Sequence, residues 1–306
     1  MIERKPIVDR SEWLSWRKRD VTASTVGALF GVHPYITALR LYAEKRGTEF
    51  QDDDNNKVLR RGRWLEPAVA KAVSELRPEW DITAPNVYLR QPDLRLGCTP
   101  DFLICDHGRI GVLQCKTVAP SVFERDWLKG NDVPLWVTLQ TLTEMMLCDA
   151  AFGAVAVLLV DPHNMDCVIL DVPRHEGSER KIAQAVQSFW QQVANGIEPD
   201  PNFDRDAGVI KALSPRETPG KVLDCTGLNS LPQMLVNRAA YMAIIDDAKA
   251  KKEAIETEIK YLMDDAEIMT GVEGWRVTYK VQERKAHTVP ASSPRVLLVR
   301  DQRAQS

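Results

Sequence analysis

The chain has 306 residues, of which 44% are hydrophobic and 27% are charged, a balance that excludes a wholly disordered protein. The formal net charge of −3 excludes nucleic-acid binding through an overall cationic surface. Any such contact must come from local basic residues or from bound metal ions. The six cysteines form no C-x-x-C pair and stand at no zinc-ligand spacing, so we expect reduced thiols.

The N-terminal sequence MIERKPIVDRSEW lacks the apolar run of a signal peptide. No stretch approaches the roughly 18 apolar residues that a membrane helix needs. These two observations lead us to expect a cytoplasmic protein that makes no contact with a membrane.

Four helices are predicted in the first quarter of the chain. The signals are apolar residues at helical spacing, such as Trp13 and Trp16, and glycine or proline breakers between the segments. The predicted helical segments are Ser11–Arg19, VGALFG, ALRLYAEKRG and RRGRWLEPAVAKAVSEL. The last of these carries Glu66 among apolar neighbours.

Short β-rich runs separated by proline, glycine and Asp-His-Gly turns follow from Asp81. Strands are predicted near Val87–Arg90, Leu96–Pro100, Phe102–Cys105 and Gly111–Lys116. After them come a helix over Pro134–Cys148, a buried strand ending near Val160, a partner strand CVILDVP and a helix ended by Gly196. This order predicts an α/β fold with helices on the faces of a mixed central sheet.

A second unit is predicted to begin near Asp206, where the composition shifts toward loop. We expect residues 1–205 to form the main domain and residues 206–306 a C-terminal extension. One helical stripe predicts a long helix over about 232–268, and the alternation in GWRVTYKV predicts a strand after it.

The most informative stretch runs from Thr99 to Lys116. Twelve residues separate Asp101 from Gln114, and a turn lies between them. Two antiparallel strands joined by that turn would place Asp101 and Gln114 side by side. Because side chains alternate along a strand, Gln114 and Lys116 would share one face while Cys115 points to the other.

This arrangement suits phosphodiester hydrolysis with a hard divalent cation such as Mg²⁺, which prefers oxygen ligands. Asp101 offers a carboxylate, and the Gln114 side-chain carbonyl and the Cys115 main-chain carbonyl offer two more oxygens. Glu66 is a further candidate acid. Lys116 would orient water or stabilise the anionic transition state, while the cation activates water and neutralises charge on the phosphate.

The pattern formed by Glu66, Pro100-Asp101 and Gln114-x-Lys116 resembles the PD-(D/E)xK nuclease signature. More specifically, the chain resembles the YqaJ-like viral recombinase family, relatives of phage lambda exonuclease. The resemblance covers most of the first 200 residues and is carried by WLSWRKRDVTASTVGALFGVHPY, RRGRWLEPAVA, LGCTPDFLI, LQCKTV and LQTLTEMML in that order.

The resemblance implies a restriction-endonuclease-like core and a Mg²⁺-dependent exonuclease, with Mn²⁺ able to substitute. Such an enzyme degrades one strand of linear duplex DNA from its 5′ end and hands the 3′ tail to a phage single-strand annealing protein. A ring-forming homo-oligomer, encoded by a phage or prophage, is also implied. The catalytic positions become Asp101, Gln114 and Lys116, with Glu66 as an additional acid.

By the same resemblance, Arg17 and Ser24 correspond to an Arg-x6-Ser element that grips the DNA 5′ phosphate, and Gln140 lies on a helix near the site. A guanidinium group and a hydroxyl near a helix N-terminus are suitable phosphate donors in any case. Two alternatives stay open. Ser24 is equally consistent with a plain helix cap, and Gln140 with a surface helix residue.

One departure from the signature is Gln114, which stands where the second acid is expected. The metal site therefore loses a full negative charge, and its affinity for metal should be weaker. A DNA-binding or assembly protein without nuclease activity is one alternative function. An endonuclease of the same superfamily is the other.

Overall fold

The computed structural model describes residues 1–50, 57–127, 133–283 and 295–299. The chain forms two compact units, residues 1–214 and residues 215–306. The first unit continues beyond the predicted boundary at residue 205 because a short helix, Ala207–Leu213, packs Val209 against Leu39 and Ala43. The division of roles between the predicted domain and the predicted extension stays a prediction.

The N-terminal part of the first unit is mainly helical. Its elements are β1 (Glu3–Pro6), α1 (Arg10–Arg19), β2 (Val21–Thr22), α2 (Ala23–Val26), a 3-10 turn (Gly27–Phe30), α3 (Ala38–Lys45) and α4 (Lys57–Leu76). The predicted second helix is therefore shorter than VGALFG suggests, because it tightens into the 3-10 turn before Gly31, whose φ is +69°. A left-handed backbone at this point favours glycine.

The remaining strands and helices of the first unit include those of the central sheet. They are β3 (Asp81–Thr83), β4 (Val87–Gln91), β5 (Leu96–Cys98), β6 (Phe102–Asp106), β7 (Arg109–Val118), α5 (Pro120–Asp126), α6 (Leu135–Cys148), β8 (Phe152–Val160), β9 (Met165–Pro173), α7 (Glu176–Asn195) and α8 (Ala207–Leu213). Every strand and helix predicted between residues 87 and 196 has a counterpart here, with ends that differ by a few residues.

Five of these strands form a mixed sheet in the order β3-β6-β7-β8-β9, in which β7 and β8 run parallel and the other neighbours are antiparallel. Val69 and Val73 of α4 pack with Leu113 and Cys115 on one face. The buried residues of α6 and α7 pack with Val112 on the other face. A mixed sheet between helical layers confirms the predicted fold class.

The hairpin between β6 and β7 fixes the register of the candidate site. Its turn is made by His107 and Gly108, whose φ angles are 48° and 81°. Two residues with positive φ form a tight turn whose twist matches that of the flanking strands. Phe102 pairs with Leu113, so Asp101 comes to lie beside Gln114 as the spacing predicts.

Helix α6 lies close to the sheet at Gly153 of β8. A Cβ atom at this position would lie 2.7 Å from Thr141 Cγ2 and 2.8 Å from Met145 Sδ. Only a residue without a side chain permits this approach. The close contact brings the sheet-facing side of α6 onto β7 and β8, which is the side that carries Gln140.

A second sheet, in the order β1-β4-β5-β2, holds the end of α1 in place. Asp20 follows α1 and is fully buried. Arg90 of β4 donates to its two oxygens over 2.9 Å and 2.8 Å, and the Tyr88 hydroxyl group donates to it over 3.1 Å. A buried carboxylate with this many donors ties the end of α1 to β4.

The second compact unit contains α9 (Leu231–Met263) and a hairpin of β10 (Ile268–Val272) and β11 (Trp275–Thr278). The predicted long helix is confirmed, although it ends at Met263 rather than near residue 268, and the strand after it is also present. In the described part of the chain, no helix is both long and apolar enough to cross a membrane.

Candidate active site

Asp101 lies immediately before β6 and is half-buried. Its Oδ2 atom accepts a hydrogen bond from the Cys115 backbone N–H over 2.8 Å and another from Gln114 Nε2. Burial, with a smaller contribution from Glu66, raises the pKa of Asp101 to about 6, although Lys116 and the Cys115 N–H act to lower it. Asp101 is therefore a fixed carboxylate that sits in a poorly solvated place beside a lysine.

Gln114 is 2% exposed and lies between Asp101 and helix α6. Its Nε2 faces Asp101, and its Oε1 accepts from Gln140 Nε2 over 2.6 Å. The side-chain oxygen predicted to bind metal thus faces Gln140 here. Rotating the amide by half a turn would exchange its oxygen and nitrogen, because the two ends of an amide are nearly equal in shape.

Lys116 shares the α6 face of the sheet with Gln114, as the alternation predicts. Its Nζ donates to Gln140 Oε1 over 3.1 Å and lies 5.2 Å from the centre of the Trp136 ring. Cys115 points to the opposite face, where it packs in the cluster under α4. The alternative for Gln140 as a surface residue is wrong, since it is 8% exposed and contacts both Gln114 and Lys116.

Glu66 approaches from α4 and is half-buried. Burial raises its pKa, while Lys116 and Arg63 lower it. Glu66 and Asp101 thus both feel the charge of Lys116. The predicted donors are all oxygens: two carboxylates, the Gln114 amide and the Cys115 main-chain carbonyl.

This donor set fits a hard divalent cation better than a soft one. Among the described residues, no three His, Cys, Asp or Glu side chains converge closely enough to form a metal cluster by themselves. A cation at this centre would therefore depend on the amide and main-chain oxygens as well as on the acids. The assignment of these ligands stays a prediction.

Arg17 and Ser24 lie together, as the predicted phosphate-binding element requires. Arg17 Nη2 is 3.3 Å from Ser24 Oγ, and its guanidinium group lies 4.8 Å from the centre of the Trp13 ring. The cap of α2 is Thr22, which forms a capping box with Thr25, so the alternative for Ser24 as a helix cap is wrong. Ser24 is half-buried with its hydroxyl beside a guanidinium group.

Trp13 connects this pair to the segment between β5 and β6 that carries Asp101. Its Nε1 donates to Thr99 Oγ1 over 2.9 Å, and Thr99 stands two residues before Asp101. One indole ring therefore contacts the guanidinium group of Arg17 on its face and, at its edge, the segment between β5 and β6 that carries Asp101. Contacts through Trp13 therefore link the predicted phosphate-binding residues to the segment that carries the predicted catalytic Asp101.

Residues 12–151 match the family model of the YqaJ-like viral recombinase domain. The matched stretch contains all of the predicted site residues, from Arg17 to Gln140. Residues 12–151 are therefore similar to a YqaJ-like viral recombinase domain. The resemblance drawn from the sequence motifs is thereby confirmed. No curated protein matches the chain.

Several solved structures resemble the chain. An alkaline exonuclease from Laribacter hongkongensis, LHK-Exo, is 18% identical with a TM-score of 0.45, and the match covers 65% of this chain and 99% of that one. A phage-related exonuclease from Haemophilus somnus is 14% identical with a TM-score of 0.39, covering 58% of this chain and 96% of that one. A SOX–DNA complex gives 10% identity and a TM-score of 0.41, covering 60% of this chain and 67% of that one.

Within the YqaJ-like domain, sequence reasoning missed Glu144. It is the only charged residue of α6 and is 1% exposed. Its Oε1 accepts from Gln140 Nε2 over 3.1 Å. Burial and the Asp101 carboxylate raise the pKa of Glu144 well above its ordinary value, while Gln140 and Lys116 lower it. The signal that would have found it is a single acid, one helical turn after Gln140, in an otherwise uncharged helix.

The domain also places His33 between the phosphate element and the centre. Its Nδ1 accepts from the backbone N–H groups of Tyr35 and Ile36 over 3.1 Å and 2.9 Å. Its ring centre lies 5.6 Å from that of Trp136, the same indole that Lys116 approaches. Burial lowers the pKa of His33.

Proposed function

We propose that this protein is a Mg²⁺-dependent exodeoxyribonuclease that digests one strand of linear duplex DNA from its 5′ end. The observation that carries the proposal is the contact of Asp101, just before β6, with Gln114 on the adjacent strand β7 that also carries Lys116, within residues that match the YqaJ-like viral recombinase domain. The 3′ single-stranded tail left by such digestion is the substrate of recombination by strand annealing.

The oxygen donors around Asp101 fit Mg²⁺, and Mn²⁺ has the size and hardness to substitute for it. Asp101, Glu66, the Gln114 side-chain oxygen and the Cys115 main-chain oxygen are the groups that would hold it. When bound, the cation would neutralise the charge that builds up on the scissile phosphate and make water a stronger nucleophile.

The chain's own residues supply orientation and positive charge. Lys116 Nζ, which contacts Gln140 Oε1, stands within a half-buried site where an ammonium group can donate to a phosphate oxygen or to the attacking water. Gln140 holds the amine on the α6 face and so sets the direction of its proton donors. Arg17 and Ser24 bind the terminal phosphate and place the first phosphodiester bond near Asp101.

The proposed activity also indicates which molecules this protein binds. The substrate is a double-stranded DNA end, and the product strand passes to a phage single-strand annealing protein in the cytoplasm of the bacterial host. A ring-forming homo-oligomer would concentrate Lys and Arg residues around the DNA, which reconciles DNA binding with a net charge of −3. The family match supports these proposals.

A DNA-binding protein without nuclease activity is the alternative that a specific observation favours. Gln114 stands where the signature places an acid, and its Nε2 contacts Asp101 in the way that a metal ion otherwise would. An endonuclease of the same superfamily is separated from an exonuclease by its substrate, since only an exonuclease requires a free end.

The decisive experiment compares linear duplex DNA bearing a 5′ phosphate with a covalently closed circle of the same sequence, each with and without Mg²⁺. We expect digestion of the linear DNA alone, and only with the metal. Cutting of the circle would instead indicate an endonuclease. If linear DNA stays intact in both Mg²⁺ and Mn²⁺ while the protein still binds it, the protein without nuclease activity is the better description.

Arg17→Ala is expected to lower the preference for a 5′-phosphorylated end over a 5′-hydroxyl end by about tenfold or more, because a hydrogen bond to a charged group contributes roughly 1.5–3 kcal/mol. The measurement is the ratio of initial digestion rates on the two end types. Lys18→Ala is the matched control, since Lys18 is the exposed neighbour on α1 and should leave the ratio unchanged. An unchanged ratio for Arg17→Ala would remove the terminal-phosphate role of Arg17.

A further inference from the structure

The carboxylate of Glu144 on α6 is buried but only partly hydrogen-bonded. It is 1% exposed, and one of its oxygens, Oε1, accepts from Gln140 Nε2 over 3.1 Å. Its other oxygen, Oε2, is the one buried side-chain oxygen or nitrogen in the described part of the chain that has no hydrogen-bond partner. Buried polar atoms without a partner are rare and costly, so this oxygen points to a partner that the chain itself does not supply.

Gln140 connects Glu144 directly to the candidate centre. The same Nε2 that donates to Glu144 also donates to Gln114 Oε1 over 2.6 Å, and Gln140 Oε1 accepts from Lys116 Nζ over 3.1 Å. Glu144 is thus one side chain away from both members of the Gln-x-Lys pair. It lies on α6, which packs on the sheet face opposite to α4, the helix that carries Glu66.

A further carboxylate near the candidate site would offset positive charge when a divalent cation is bound. Asp101 and Lys116 carry opposite charges that cancel, and Gln114 carries none. A divalent cation added to Asp101, Lys116 and Gln114 would leave an excess of positive charge in a poorly solvated site, which is unfavourable. Glu66 offsets part of this excess, and a second nearby carboxylate would offset more.

Building on the proposed nuclease function, we propose that Glu144 supplies the negative charge that position 114 lacks and helps to hold the divalent cation beside Asp101. The acid has moved from strand β7 to the adjacent helix, and Gln140 bridges the two positions. Burial and the Asp101 carboxylate favour the protonated form of Glu144 in the absence of metal, so a cation bound here would displace that proton. The unpartnered Oε2 is then the oxygen available to the cation or to water around it. Glu144 would thereby perform from α6 the task that an acid on the strand performs in the signature.

The test measures Mn²⁺ binding by calorimetry without DNA for the full chain and four variants. Glu144→Gln keeps the size of the side chain and removes its charge, and it should weaken Mn²⁺ binding at least tenfold. Adding Gln114→Glu to that variant should restore the affinity to within about threefold. Glu75→Gln is the matched control, because Glu75 is exposed on α4, and it should leave binding unchanged.

Gln114→Glu alone decides the question even if Glu144→Gln fails to fold. If Glu144 already supplies the charge, a new acid at position 114 tightens Mn²⁺ binding by less than threefold. A gain of tenfold or more would overturn the proposal, as would a folded Glu144→Gln variant with unchanged affinity. In either case, digestion of linear DNA by the unmodified protein would show that the nuclease proposal itself survives. Absence of both Mn²⁺ binding and digestion in the unmodified protein would overturn the two together.

Discussion

Asp101→Asn is expected to lower the rate of linear duplex digestion by about a thousandfold while the fold stays intact, the upper range for losing one preorganised electrostatic group in an active site. Asparagine has the size of aspartate and keeps an oxygen that can accept from the Cys115 N–H. What disappears is the charge, and with it the strongest oxygen ligand of the centre.

The stability of this variant should equal or exceed that of the unmodified protein. Burial raises the pKa of Asp101 from 3.8 to about 6, so the folded state binds the proton more tightly than the unfolded state does. Ionisation of Asp101 therefore costs stability as the pH rises from 3.8 to about 6, and the full cost remains at neutral pH. Asparagine removes that cost.

Single-turnover digestion kinetics and thermal unfolding at neutral pH are the two measurements. Asp93→Asn serves as the control, because Asp93 is an exposed residue of the turn before β5, and both readouts should stay unchanged. Digestion by Asp101→Asn within about tenfold of the unmodified rate would contradict the role of Asp101 at the centre. Loss of the fold would show instead that the carboxylate is mainly structural.

Asp20→Ala is expected to destabilise the first compact unit by about 3–5 kcal/mol, the usual range for removing one member of a buried ion pair. Asp20 is fully buried and accepts from Arg90 and Tyr88. Alanine would leave the guanidinium group of Arg90 and the hydroxyl group of Tyr88 without their acceptor. Because Asp20 follows α1, loosening this contact should also displace Arg17.

Denaturant unfolding followed by tryptophan fluorescence measures this effect, since Trp16 stacks on Tyr88 with ring centres 5.7 Å apart. The comparison variant is Glu75→Ala, which removes an exposed pair with Lys71 and should change stability by less than about 0.5–1 kcal/mol. An equal, small effect of both substitutions would mean that the buried contact at Asp20 contributes no more than an exposed one.

The adjacency of Asp101 and Gln114 could be predicted because it depends on local information. A turn with glycine, a fixed number of residues and period-two alternation determine which side chains of a hairpin meet. The family motifs also identified Arg17 and Ser24 as candidate site residues, and the structure shows these two side chains in contact. Helix α6 was also predicted within one residue at its N-terminal end.

The roles of Gln140 and Glu144 could not be predicted in the same way. Their burial depends on how closely α6 approaches the sheet, which is set at Gly153 by a contact between distant parts of the chain. Helix periodicity shows that the two residues share a face, and it does not show what that face meets. The orientation of the Gln114 amide is likewise determined by Gln140, 26 residues away in the sequence.

The hydrogen bond between Gln114 and Asp101 joins the two side chains directly. Two carboxylates at these positions would repel each other and would need a cation merely to stay together. An amide instead bridges to the carboxylate, so the centre is assembled before any metal arrives. The same bond occupies the oxygen that the cation requires, and binding must first break it. In the proposed nuclease, digestion would therefore depend on the concentration of divalent metal.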